Sequence, residues 1–118
     1  MANYRDTPLK ICASSTGGAD VDVSATLFVD RLADAGGDTT LVNVHESKKC
    51  ASLVAHKASG AATLQLVYVA VPMVGNGQFQ VTVELTHPAI EGDPFFFTKS
   101  GNAPKGEPKT IVETYELP

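Results

Sequence analysis

What this chain of 118 residues lacks narrows its chemistry before any motif is sought. It has no tryptophan, and its two cysteines, Cys12 and Cys50, are too few for a disulfide scaffold. Two buried or half-buried free thiols in a reducing compartment are the expectation, with an intersubunit bridge in a released particle as the alternative. Nine Lys and Arg stand against thirteen Asp and Glu, a net charge of −4, so no global positive field advertises nucleic acid. A locally basic face stays open, because a few cations need only be unevenly placed. No run approaches the roughly 18 apolar residues of a membrane span. Met-Ala-Asn-Tyr-Arg-Asp leads into the chain without the apolar core of a signal peptide. Together these point to a soluble chain made in a cytoplasm, with no membrane partner. CxxC, HExxH, GxGxxG and GxxxxGK[ST] patterns are missing, and no internal repeat is sustained. Neither a cofactor nor an enzymatic role is therefore expected.

What is present is an ordinary globular composition, 43% hydrophobic and 19% charged. The length suits one domain, residues 1–118, burying about two thirds of its unfolded surface. The strongest pattern runs from Thr63 to His87: TLQLVYVAV, a Pro/Gly/Asn turn, then QFQVTVELTH. In the second arm Phe79, Val81, Val83 and Leu85 alternate without a break against Gln78, Gln80, Thr82, Glu84 and Thr86. One face is apolar and the other a ladder of hydrogen-bonding groups. In the first arm Val67, Val69 and Val71 lie on one side and Leu64, Leu66, Tyr68 and Ala70 on the other. A strand apolar on both sides belongs in the middle of a sheet. The two arms are expected to pair as a long central hairpin.

The remaining chain adds short β patterns. Residues 1–7 read as a loose polar arm, and Leu9, Ile11 and Ala13 mark a strand closed by Ser15-Thr16-Gly17-Gly18. Residues 21–35 are ambiguous. Val21, Val23, Ala25, Leu27 and Val29 alternate as a strand, while Val21, Ala25, Phe28, Val29, Leu32 and Ala35 form a helical stripe ending near Gly36-Gly37. The β-branched and aromatic content of 21–29 favours the strand, which leaves 31–38 as a turn-rich connection. Further strands are expected at 39–46, 51–57, 95–99 and 110–117, with a basic turn at Ser47-Lys48-Lys49 and a Gly/Pro-rich loop over 100–108. The sum is a mostly β, antiparallel architecture of about six to eight strands with at most one short helix.

No catalytic constellation emerges. His45, His56 and His87 fall on different strands without metal-ligand spacing. Asp20, Asp22, Asp30, Asp34 and Asp38 read as solvated turn and edge carboxylates. Ser14-Ser15 lacks a nucleophile-elbow context. Thr16-Gly17-Gly18 could cradle an anion or flavin phosphate only if the following segment were a helix in an α/β fold. The polar ladder beside Lys48, Lys49, His56 and Lys57 could contact unpaired RNA, with Tyr68 as a stacking ring.

The stretch ATLQLVYVAVPMVGNGQFQVTVELTHP, with Val71-Pro72 and His87-Pro88 closing its two strands, resembles the paired long strands of single-stranded RNA bacteriophage coat proteins. The likeness covers about residues 20–88. It implies a virion capsid protein, made in the host cytoplasm, whose intertwined homodimers share a continuous sheet and assemble into an icosahedral shell. Met73, Val74, Gly75, Asn76 and Gly77 would form an inter-subunit loop. An inner sheet face carrying Leu66, Tyr68, Gln80, Thr82 and Glu84, joined by Lys49, His56 and Lys57, would meet single-stranded RNA. That family closes its chain with amphipathic helices, whereas 89–118 here reads as loop and strand. The alternative is a small β-sandwich binding or accessory module with function in its loops.

Overall fold

The structure, a computed structural model, describes residues 2–30, 32–73, 77–92 and 94–118, the side chains of 32–38 excepted. Eight strands follow in order: β1 (Leu9–Gly17), β2 (Ala19–Val29), β3 (Leu32–Leu41), β4 (Lys49–Leu53), β5 (Ala62–Pro72), β6 (Gln78–Thr86), β7 (Phe95–Asn102) and β8 (Lys109–Glu116). They form two four-stranded sheets, ordered β4-β1-β6-β7 and β3-β2-β5-β8, and every pairing within them is antiparallel. There is no helix among the described residues, hence none long and apolar enough to cross a membrane.

Period-2 patterning explains which faces meet. Alternate residues of β2 (Val21, Val23, Ala25, Leu27), β5 (Leu64, Leu66, Tyr68, Ala70), β1 (Leu9, Ile11, Ala13) and β6 (Phe79, Val81, Val83, Leu85) are buried in one shared cluster between the sheets. Removing that apolar surface from water stabilises the sandwich by roughly 1.5–3 kcal/mol per large side chain. The expected strand at 21–29 is present, so the helical alternative and its phosphate cradle at Thr16 to Gly18 fall away.

The expected central hairpin does not form. Both long strands occupy the expected segments, but β5 pairs with β2 and β8 in one sheet, and β6 pairs with β1 and β7 in the other. Alternation specifies which face is buried; it does not specify the partner strand. The long partnership is instead between 9–29 and 62–86. Its antiparallel register runs from Val29↔Ala62 to Ala19↔Pro72, resumes at Gly17↔Phe79 and ends at Lys10↔Thr86. This ribbon folds over at Gly17, whose φ is +110°. Only glycine adopts that conformation cheaply, and a Cβ there would press on the Gln78 carbonyl.

The path contains a two-fold repeat that the sequence conceals. Replacing β1, β2, β3 and β4 by β5, β6, β7 and β8, and the reverse, turns the order β4-β1-β6-β7 into β8-β5-β2-β3, the second sheet read backwards. Each half of the chain contributes two central and two edge strands. Neither half holds a complete sheet of its own.

Several local expectations are corrected. Residues 32–38 are strand and not a turn-rich connection, with a register shift between Thr26 and Phe28 where β3 meets β2. Residues 42–48 cross between the sheets: Val44 is buried, its N–H donates to the Val21 carbonyl (3.0 Å), and its carbonyl accepts from Ser15 N–H (2.8 Å). The fourth strand is Lys49–Leu53, shifted back from 51–57, so Lys49 is strand and not turn. The N-terminal arm is packed: Tyr4 is buried, stacks on His87 with ring centroids 4.3 Å apart, and accepts Ala55 N–H at its carbonyl. Cys12 and Cys50 are not free thiols; they sit opposite each other on β1 and β4 and are joined in a disulfide within the chain.

Candidate functional site

Two surfaces hold groups with something to offer a partner. The first is the outward face of the β4-β1-β6-β7 sheet. Register sets its rows: Thr16–Gln80–Ser100, Ser14–Thr82–Thr98, and Cys12–Glu84–Phe96. The alternation in β6 that buries Phe79, Val81 and Val83 turns Gln80, Thr82 and Glu84 outward. At the folded-over end, Thr16, Gln78, Gln80, Ser100 and Asn102 surround a shallow depression of about 350 Å³ floored by Gly17 and Gly101. No charged side chain lines it. Farther along, Lys48 Nζ donates to Glu84 Oε2 at 2.8 Å, so that cation is already neutralised. Exposed Lys10, between Ser52 and Thr86, adds one cation at the far end; the rest is amides and hydroxyls, which can hydrogen-bond a ligand but give little fixed positive charge for phosphates.

The second surface is the side of the sandwich where β7 and β8 are the sheet edges. There the inward residues remain half-exposed: Phe97 and Lys99 on β7, Ile111, Glu113 and Tyr115 on β8. Phe97 and Tyr115 bridge the sheets with centroids 4.7 Å apart, and Lys99 pairs with Glu113. The Glu113 carboxylate hydrogen-bonds the Lys99 ammonium and holds its pKa above the ordinary value. Beyond these pairs an apolar groove of about 550 Å³ opens, lined chiefly by Leu85, Ile90, Phe95, Phe97, Tyr115 and Leu117. Behind it Tyr68 is fully buried, and burial pushes its phenol well above the usual tyrosine range. The Tyr115 phenol, itself raised by burial, lies near enough to Tyr68 to interact but outside good hydrogen-bonding geometry.

The residues expected to contact RNA do not converge. Gln80, Thr82 and Glu84 share the outward face, as alternation implied. Tyr68 belongs to the core and offers no ring to a ligand, because the buried face of β5 carries Leu64, Leu66 and Tyr68 while Val67, Val69 and Val71 look out. Lys57 is tied to Asp30 at 2.8 Å, beside the other sheet. Lys49 sits opposite Ala13, whose side chain is buried, and so points off the polar face. His56 lies in the β4–β5 connection and has its own partner. Of the expected inter-subunit loop, Met73 is exposed and Gly77 is half-exposed with its carbonyl accepting Ala103 N–H (2.7 Å); Val74, Gly75 and Asn76 lie outside the described residues.

The three histidines stay apart: His45 reaches the Gly17 carbonyl (2.7 Å), while buried His87 donates to the Asn3 and Thr7 carbonyls (3.1 and 3.0 Å). Among the described residues no group of three His, Cys, Asp or Glu could hold a metal ion. The groove has no complete local signature, because its lining comes from three separated segments, 85–91, 95–97 and 115–118. The run Phe95-Phe96-Phe97 was the available signal, since a strand cannot bury three consecutive rings on one face. Compared with family models, curated proteins and solved structures, the chain has no match in any of the three.

Proposed function

We propose that this chain is a structural subunit of coat-protein type, one that works by joining copies of itself through its sheet edges. The observation that carries the reading is the incomplete β7–β8 side, where Phe95, Phe97, Tyr115 and Leu117 line an apolar groove between two free edge strands. Exposed apolar surface of this kind, rimmed by polar groups, marks interaction sites, and free edges are templates for another chain. The resemblance to RNA-phage coat proteins adds only the expectation of a structural subunit, because the two long strands that carry it lie in different sheets here. Its finer expectations need restating: there are two sheets in place of one, and residues 89–118 supply β7 and β8 where that family has helices. Contact with single-stranded RNA would fall to Gln80, Thr82 and their row neighbours, with exposed Lys10 opposite Thr86 as a cation on the same face.

Expression of the chain alone, followed by gel filtration and negative-stain electron microscopy, tests the proposal. Discrete oligomers or shells are expected. A monomer at high concentration would overturn it.

One observation favours a second reading, a β-sandwich binding module. The depression walled by Thr16, Gln78, Gln80, Ser100 and Asn102 presents neutral donors and acceptors suited to an uncharged polar ligand. Loss of binding in a partner assay after Gln80→Ala and Ser100→Ala, with oligomeric state unchanged, would support it over the first.

A further inference from the structure

The four edge strands are not equally protected. Natural sheets blunt their edges by shortness, bulges, proline, lysine or covering segments. β4 is five residues long and carries the disulfide to β1; β3 departs from regular register against β2. β7 keeps a regular register, but its second half is Lys-Ser-Gly-Asn, which favours extended pairing poorly. β8 is different. It runs eight residues, Lys-Thr-Ile-Val-Glu-Thr-Tyr-Glu, in unbroken register with β5, and its only prolines flank it at 108 and 118. Thr, Ile, Val and Tyr are strand formers. Its inward charge, Glu113, is compensated by Lys99.

The direction of its backbone groups can be assigned. Leu117 N–H donates to the Ala62 carbonyl at 3.0 Å, so residues 117, 115, 113, 111 and 109 turn their backbone groups toward β5. Residues 110, 112, 114 and 116 therefore turn theirs to the free edge. The outward side chains of these same residues include Val112, 56% exposed and directly beside Val67 of β5.

We infer that β8 pairs with β8 of a second copy, antiparallel about a two-fold axis at Val112, joining two four-stranded sheets into one of eight strands. This rests on the self-assembly proposed above and names the surface that carries it. The register follows from chemistry. Two-fold pairing with faces preserved requires partners of equal parity. Centring on Glu113 would set two carboxylates directly opposite, which is unfavourable. Centring on Val112 sets Val112 against its own copy, Thr110 against the partner's Thr114, and Ile111 against the partner's Glu113. Lys109 then lies diagonal to the partner's Glu113, within reach of its long side chain. A row Val67–Val112–Val112–Val67 closes over the axis, with about six backbone hydrogen bonds made across it. The match of hydroxyl to hydroxyl, valine to valine and cation to carboxylate selects a second copy over an unrelated strand.

The test uses the full chain. Val112→Pro removes only an outward N–H, a substitution that edge strands tolerate, so the fold should survive as judged by circular dichroism and thermal melting. The wild type is expected to run as a dimer or larger species, and Val112→Pro as a monomer across the same concentration range. Val112→Cys should cross-link to its own copy under mild oxidation, because hydrogen-bonded antiparallel partners stand about 5.5 Å apart at Cα; Val54→Cys, exposed but remote from β8, should not. If the wild type assembles while Val112→Pro assembles equally and Val112→Cys fails to cross-link, this inference is wrong and self-assembly uses another edge. If the wild type is a monomer, the proposed function fails and this inference with it.

Discussion

Replacing Cys12 and Cys50 together by alanine isolates the feature that departs most from the sequence expectation. The bridge joins β1 to the short edge strand β4 across 38 residues of chain. A cross-link of that span removes loop-closure entropy from the unfolded state worth about 4 kcal/mol at 25 °C in the chain-entropy model. Packing adds little to this, because Cys50 is exposed and the alanine left at position 12 only shortens one small side chain. With an unfolding entropy near 2.1 cal/mol/K per residue, the chain totals about 250 cal/mol/K, so the melting temperature should fall by about 16 °C. Paired thermal melts and urea titrations of the oxidised wild type and the double variant provide the measurement. The denaturant slope should rise in the variant, since its unfolded chain expands further once the bridge is gone. A fall of less than about 4 °C with an unchanged slope would show that the bridge does not constrain the unfolded chain.

Further expectations concern the core and the fold-over. Tyr68→Phe should leave stability unchanged or raise it by about 1 kcal/mol, because the buried hydroxyl lacks a well-formed hydrogen bond; a clear loss in urea unfolding would show that the Tyr68–Tyr115 contact is a true bond. Burial raises the phenol pKa values of Tyr68, Tyr4 and Tyr115 in the folded state. Their neutral forms therefore contribute stability that is complete below about pH 10, where an exposed phenol ionises, and is lost as pH rises toward the folded values. Melting temperature should thus decline in alkaline buffer, and less steeply in Tyr68→Phe; a flat profile would contradict the assignment. Gly17→Ala should cost about 2 kcal/mol or more in urea unfolding, since φ of +110° and the Gln78 carbonyl both oppose a Cβ. A neutral result there would mean the ribbon folds over elsewhere.

Much of the secondary structure was legible in the residues, and little of the pairing. Strict alternation in 21–29 and 78–86 marks strands whose buried faces are those observed, and the strand expected at 110–117 is present with its inward face only half-covered. The doubly apolar arm, read as central, does lie between β2 and β8. The hairpin was misread because Pro72 and Gly77 bound a connection between sheets as readily as a tight turn, and nothing local separates the two. The strand expected at 39–46 overlaps β3 only at 39–41; the first part of β3, Ala-Asp-Ala-Gly-Gly-Asp, has poor strand propensity, overridden by pairing with β2. The cysteines meet only through the β1–β4 register, which depends on the whole sheet. For the surfaces, Gln80, Thr82 and Glu84 were placed correctly by parity alone. Tyr68 was not, because either face of β5 could have been the inner one. The groove and the free edge of β8 are products of topology, and topology was the part the pattern left open.

Self-association of this chain, as proposed above, is open to direct measurement. Light scattering coupled to gel filtration, run on the oxidised wild type over a dilution series, measures that directly. A particle mass at least twice the 12.4 kDa of one chain is expected at the upper end of the series, falling on dilution or on Val112→Pro substitution. A constant 12.4 kDa at every concentration would contradict it.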